Sequence, residues 1–362
     1  MKYQSQAYTH SQSKKVGVLI TNLGTPNAPT KSALRDYLKE FLSDPRVVEV
    51  PRLIWWCILN LIILNIRPAK SAEAYKRVWT DKGSPLAQIT QAQCKAIAKD
   101  ITDEWGSQVV VEWAMRYGTP SISGQLQKLF DQGVEKLVVL PLYPQYSAAT
   151  TGSTFDAIAE DFQQRRWLPE LRFINQYGDH QGYVEALVRS IQAHWDKFGR
   201  AEKLIFSYHG VPLRYLHQGD PYHCQCLKTT RLVAEALGIK ENEYMTTFQS
   251  RFGKEEWLQP YTDKTLEALP QSGVHSVQII CPGFSADCLE TIDEIGFENK
   301  EVFIHAGGER YEYIPALNDS DTHIRFLSGL LKQQLVDWIQ PEEDGNLREK
   351  RYLSSTHNTK SE

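Results

Sequence analysis

What the sequence lacks narrows the field first. Neither G-x-G-x-x-G nor G-x-x-x-x-G-K-[S/T] follows an apolar run, which removes the usual phosphate cradles of dehydrogenases and NTPases. H-E-x-x-H, a paired C-x-x-C and an EF-hand loop are also missing, so no closed structural metal site is written in the chain. Net charge is −4 and no basic stripe is present, so nucleic acid is not an expected partner. The six cysteines (Cys57, Cys94, Cys224, Cys226, Cys281 and Cys288) are scattered through 362 residues. That is not a disulfide framework and favours a reducing compartment. Met1 to Ser13 is polar and carries neither the apolar core of a signal peptide nor the Arg-rich pattern of a transit peptide, so a cytoplasmic protein is expected.

What is present is a repeated α/β design. The run Lys203-Leu204-Ile205-Phe206-Ser207-Tyr208-His209 is stopped by Gly210 and Pro212, which reads as a buried parallel strand ending in a sharp turn. Val16 to Leu23 ends the same way, at Gly24 and Pro26, with Leu23 where the later copy has His209. Arg116-Tyr117-Gly118 matches Arg251-Phe252-Gly253, and Gly133-Val134 before Leu137–Pro141 matches Gly273-Val274 before Val277–Pro282. Landmarks in the same order twice predict two Rossmann-like halves with parallel sheets and a cleft between them. The expected division is 14–178 with 308–340 for the first half and 179–307 for the second, with disordered tails at 1–13 and 341–362. Val302 to His305 is read as a strand, and Thr322 to Ile339 as a last helix.

Two stretches stand apart. Residues 51–68 are apolar all round except for Asn60 and Asn65. The run falls short of the ~20 residues of a membrane span, which leaves a buried helix or an exposed apolar lip that touches a membrane or covers a greasy ligand. Cys224 and Cys226 form a C-x-C near His217 and His223, a weak metal-site signal.

His209 falls at a strand's carboxyl end, where ligands of open α/β sheets bind. Ser285 reads as a helix N-cap, and Asp287, Glu290 and Glu294 are spaced to share one helical face behind it. Early acidic residues complement the helix dipole, which accounts for Asp287 and Glu290 more readily than Glu294. A carboxylate row facing a histidine can also hold a metal briefly and move protons.

At these residues the chain closely resembles the ferrochelatases, over about Val16 to Ile339. The resemblance is carried by Ser207-Tyr208-His209-Gly210-Val211-Pro212 and by Phe284-Ser285-Ala286-Asp287-Cys288-Leu289-Glu290-Thr291. Gly219-Asp220-Pro221-Tyr222, Pro144-Gln145-Tyr146-Ser147 and Thr151-Gly152-Ser153 add to it. It implies a class II chelatase-like fold and insertion of ferrous iron into protoporphyrin IX. His209 and Glu290 take the metal-binding roles. Leu23, Arg116, Tyr117, Trp257 and Phe284 match pocket-lining positions, and Ser84 lies in the matching G-S-P segment. Arg116 is expected to meet the propionates. Many family members have His where this chain has Cys288.

Eukaryotic members carry a C-terminal extension whose cysteines bind an iron–sulfur cluster; this chain has no cysteine after Cys288, so no such cluster and no tightly bound cofactor are expected. The pattern is like the Gram-negative bacterial kind, with iron as substrate, peripheral contact with the inner membrane and a monomer favoured. The competing readings are a chelatase for another tetrapyrrole, such as a cobalt chelatase, and a non-catalytic haem carrier.

Overall fold

The computed structural model describes residues 14–339 except 252 and 254, together with 350, 353 and 354. The expected tails at 1–13 and 341–362 therefore lie outside the described residues, apart from those last three.

Two four-stranded parallel sheets form the frame. The first has the order β2-β1-β3-β4, from β1 (Lys15–Thr25), β2 (Val109–Gly118), β3 (Val134–Pro141) and β4 (Glu170–Phe173). The second has the order β6-β5-β7-β8, from β5 (Lys203–His209), β6 (Tyr244–Gln249), β7 (Ser276–Ile280) and β8 (Arg310–Ile314). The same order recurs, as the sequence landmarks predicted. Helices cover the sheets, so β1 and β5 are buried along nearly their whole length and read as continuous apolar runs. Gly24 makes the first strand end possible. Its φ is +118°, and a Cβ there would sit 1.8 Å from the Tyr117 carbonyl oxygen.

Two expectations need correction. Residues 302–305 are not a strand: Asn299–His305 is helical, continuing the helix before it, and the strand is β8. The apolar run Val302-Phe303-Ile304 has strand composition, but Phe303 packs against Ile279, Ile295 and Tyr311 from a helix. The boundary at 308 also falls too early, because β8 pairs with β7 from Ser276↔Arg310 to Ile280↔Ile314 and so belongs to the second sheet. The closing helix, Asp321–Leu335, then packs on the helix Pro85–Trp105, on the helix Gln181–Phe198 and on β3, joining both halves.

The apolar stretch 51–68 opens a helix that runs from Arg52 to Val78, with a π-helical turn at Leu59–Ile63. Its 27 residues are long and apolar enough to cross a membrane by length and composition. One side is docked: Trp55, Leu59, Ile63 and Leu64 pack on Leu34, Tyr37, Leu38 and Leu42, and Trp55 Nε1 donates to the Leu42 carbonyl at 2.6 Å. The other side is bare. Leu53 is 80% exposed, Leu61 66% and Ile66 68%, with Ile54, Trp56 and Ile62 beside them. Asn60 and Asn65 do not break this face. Their amides fold back onto the carbonyls of Trp56 and Leu61, at 2.8 and 2.9 Å. The helix is therefore not wholly buried: one face is docked and the other is exposed.

Candidate active site

His209 is the last residue of β5 and is half-buried. Its Nδ1 lies 2.6 Å from the Gly210 carbonyl oxygen. A carbonyl can only accept, so Nδ1 carries the hydrogen, and in the neutral ring Nε2 keeps its lone pair. Trp257 flanks the imidazole with ring centroids 6.5 Å apart.

Glu290 opens a π-helical segment, Glu290–Glu298. Such segments are rare and concentrate at functional sites, and their wide turn keeps residues four apart close to one line. The charge of Glu290 is felt by groups from both halves. Burial, then the charge of Glu290, pushes the Cys288 thiol and the Tyr75 phenol well above their ordinary values; Tyr37 is raised by burial first, then by Tyr75 and Glu290. Cys288 is thus held as a neutral thiol. Glu294 is gripped by Ser250, whose N–H donates to Oε1 at 2.8 Å and whose hydroxyl donates to Oε2. Burial raises the Glu294 carboxyl above the usual carboxylate range; the Ser250 bonds and the charge of His209 oppose the rise and Glu290 adds to it. Glu294 is therefore within electrostatic reach of both His209 and Glu290.

Asp287 is not with them. It precedes the helix, and its carboxylate is filled by the Thr291 hydroxyl (2.9 Å), the Tyr313 hydroxyl (2.6 Å), the Asn318 amide (2.7 Å) and the Ala316 N–H (3.3 Å). It anchors the turn before Glu290 and shares no face with Glu294. Ser285 is likewise not the N-cap, since the helix starts four residues later; its hydroxyl lies 3.4 Å from His323 Nε2.

The expected pocket residues divide. Arg116 Nη2 bonds Asp44 at 2.6 Å while Nε bonds the Ser153 hydroxyl at 2.7 Å and its carbonyl at 3.0 Å. Its charge is thus balanced inside the first half, and it is a strut where a propionate partner was expected. Tyr117 is fully buried, with its hydroxyl on Asp44 at 2.8 Å, and Ser84 is buried against the Thr25 hydroxyl at 2.8 Å. Leu23, Trp257 and Phe284 are partly exposed. The C-x-C pair is split by its helix, Tyr222–Leu237: Cys224 is exposed and Cys226 buried, as residues two apart on a helix face different ways. Among the described residues no group of three or more His, Cys, Asp or Glu side chains is placed to hold a metal ion.

The sequence reading missed Gln249 and Ser250, which hold the Glu290 carbonyl and the Glu294 carboxylate, and the two tyrosines, Tyr37 and Tyr75, that feel the Glu290 charge. Polar residues closing an apolar strand, Phe248-Gln249-Ser250, were the available signal.

In fold the molecule is a class II chelatase: paired parallel α/β sheets with reactive side chains at their carboxyl ends. The solved structure described as SirB from Bacillus subtilis with Fe3+ shares that fold, with a TM-score of 0.52 at 12% identity, covering 88% of this chain and 95% of its own. Sequence narrows the class. The ferrochelatase family model matches residues 15–335. The ferrochelatase of Idiomarina loihiensis is 63% identical over 339 residues, 93% of each chain. That of Teredinibacter turnerae is 64% identical over 338 residues, 93% of this chain and 92% of its own. The chain belongs to the ferrochelatase family. It is a lyase that makes protohaem by inserting ferrous iron into protoporphyrin IX.

Proposed function

We propose that the incoming ferrous ion is taken by His209 Nε2 and the Glu290 carboxylate, and that Glu294 receives a proton displaced from the macrocycle. The observation that carries this reading is the bond from His209 Nδ1 to the Gly210 carbonyl, which leaves Nε2 as the lone-pair end of the ring. Two protein ligands suit a metal that must leave, whereas a resident ion takes a fuller set. Insertion requires the flat ring to bend and both pyrrole N–H protons to go. Glu290 at the metal and Glu294 one helical turn on offer successive acceptors. Leu23, Trp257 and Phe284 supply apolar wall to the porphyrin; Arg116, Tyr117 and Ser84 brace that wall from behind. Iron enters as substrate, and no tightly bound cofactor or C-terminal iron–sulfur cluster is part of the reading.

The bare face of the helix Arg52–Val78 supports a second element. We infer that a cytoplasmic monomer rests this face on the inner surface of the cytoplasmic membrane, where the porphyrin and haem partition.

The assignment is tested with His209→Ala and Glu290→Gln. Both are expected to lose about 10²-fold or more in haem formation while still quenching porphyrin fluorescence on binding. Near-normal turnover in His209→Ala sinks it.

A further inference from the structure

His209 and Glu290 come from different elements, a strand of the second sheet and the π-helical segment, and something must set their separation. One side chain touches both elements. Gln249 is the last residue of β6 and is 3% exposed. In the sheet it stands in register with His209, and its carbonyl accepts the Gly210 N–H at 2.7 Å. The approach is close: a Cβ on Gly210 would lie 2.9 Å from that carbonyl oxygen. Its side chain makes separate bonds. Nε2 donates to the Glu290 carbonyl at 3.1 Å. Oε1 accepts from the Ser207 hydroxyl at 2.8 Å and from the Cys281 thiol at 3.5 Å. Ser207 lies two residues before His209 on the same strand, and its hydroxyl is shared with Thr262 at 3.0 Å.

We propose that Gln249 is a positioning residue for metal insertion: its amide, oriented by Ser207, fixes the backbone of Glu290 relative to the strand that carries His209. The inference rests on the His209–Glu290 reading above. An amide is the side chain suited to the task, since one end must accept from Ser207 and the other must donate to a carbonyl. Buried and bonded at both ends, it cannot swing without stranding a polar atom, which is what makes such a strut stiff. The porphyrin wall is built from other residues, so a change at Gln249 acts on the metal side of the site.

The test compares Gln249→Met, which keeps length and removes both polar ends, with Ser207→Ala, which leaves the amide in place but takes the hydroxyl donor from its far end, leaving only the Cys281 thiol there. Steady-state haem formation is measured against porphyrin and against iron, together with the ratio of zinc to iron insertion. Thermal unfolding reports the folded fraction. The expected result for Gln249→Met is a loss of about tenfold or more in kcat per folded enzyme, the scale of a small misplacement of reacting groups. The KM for porphyrin stays unchanged and the zinc-to-iron ratio shifts. Ser207→Ala shifts in the same direction by less. Unchanged kinetics per folded molecule in both variants overturn the inference, as does a loss that merely follows the folded fraction with the metal ratio unmoved. If Gln249→Met does not fold, Ser207→Ala alone decides by the same criteria. His209→Ala run alongside separates the two failures: normal turnover there sinks the underlying reading, whereas its collapse beside unaffected Gln249 and Ser207 variants sinks only this inference.

Discussion

Ser250 holds Glu294 from two atoms, its backbone N–H at 2.8 Å and its hydroxyl, while sitting at φ +64°. A serine in the left-handed region is uncommon, and such conformations cluster at functional sites. The grip orients a carboxyl that burial has already pushed above its ordinary value. A raised carboxyl binds its proton more tightly folded than unfolded. The stability it confers is therefore full below the ordinary carboxylate range and is lost as pH rises through the folded value. Glu294→Gln keeps the neutral form at every pH. Thermal unfolding from pH 4 to pH 8 should show a small gap at the acid end that widens in the variant's favour. A gap independent of pH contradicts this. In turnover the same variant should lose less than Glu290→Gln and shift the pH–rate profile.

His323 carries the opposite sign. It is buried in the helix Asp321–Leu335, with Nδ1 donating to the Asn318 carbonyl at 2.7 Å, and burial lowers it from 6.5 to about 4. The neutral ring is favoured in the fold, so its contribution is present above pH 6.5 and is lost as pH falls toward 4. Such a shift corresponds to about 3 kcal/mol. Urea unfolding of the parent and of His323→Gln should converge by about that amount between pH 7 and pH 4. Parallel pH profiles would rule the effect out.

Asp44 gathers Arg116, Tyr117 and Ser153 on one oxygen, at 2.6, 2.8 and 2.6 Å. Burial pushes its carboxyl up, but the bonds from Ser153, the Arg46 N–H and Tyr117, with the Arg116 charge, outweigh that and hold it below its ordinary value. Removing one partner of a buried pair leaves the other uncompensated, at about 3–5 kcal/mol. Asp44→Asn and Arg116→Met should each be destabilised on that scale. The KM for porphyrin should stay nearly constant in Arg116→Met while folded enzyme is present. A large rise in KM with little change in stability would restore Arg116 as a propionate partner.

The lip is tested at its exposed side. Leu53, Leu61 and Ile66 are bare, so changing all three to Ser removes apolar surface without opening the core. The variant should keep its melting temperature and sediment less with liposomes of anionic bacterial lipids. If the parent itself does not sediment, the membrane assignment fails.

Much of the frame was legible in the sequence because buried parallel strands announce themselves as apolar runs that stop at Gly and Pro. His209 was legible for the same reason: a polar ring at a strand's carboxyl end has few structural duties. Legibility failed where the decisive fact was direction. Asp287 has the spacing of a helical face but stands before the helix, and spacing says nothing about a turn. Arg116 was placed correctly at the end of β2, yet its partner Asp44 is distant in sequence. Val302 to His305 shows that a short apolar run fits a strand or a buried helix equally well. β4 is a short edge strand of partly exposed residues, and it left no pattern to read.

The two sheets share one strand order but not one chemistry: before the shared G-x-P turn, β1 presents Leu23 and β5 presents His209. A symmetric frame is thus dressed asymmetrically, with hydrocarbon in one half and a nitrogen lone pair in the other. The substituents around protoporphyrin IX make the two sides of its plane mirror images and not equivalents. If iron is taken at His209, as proposed above, the ring would be metallated from a single side. On that reading the protein would treat a flat molecule as one with a front and a back, and a blocking group on the macrocycle should be tolerated on only one of them.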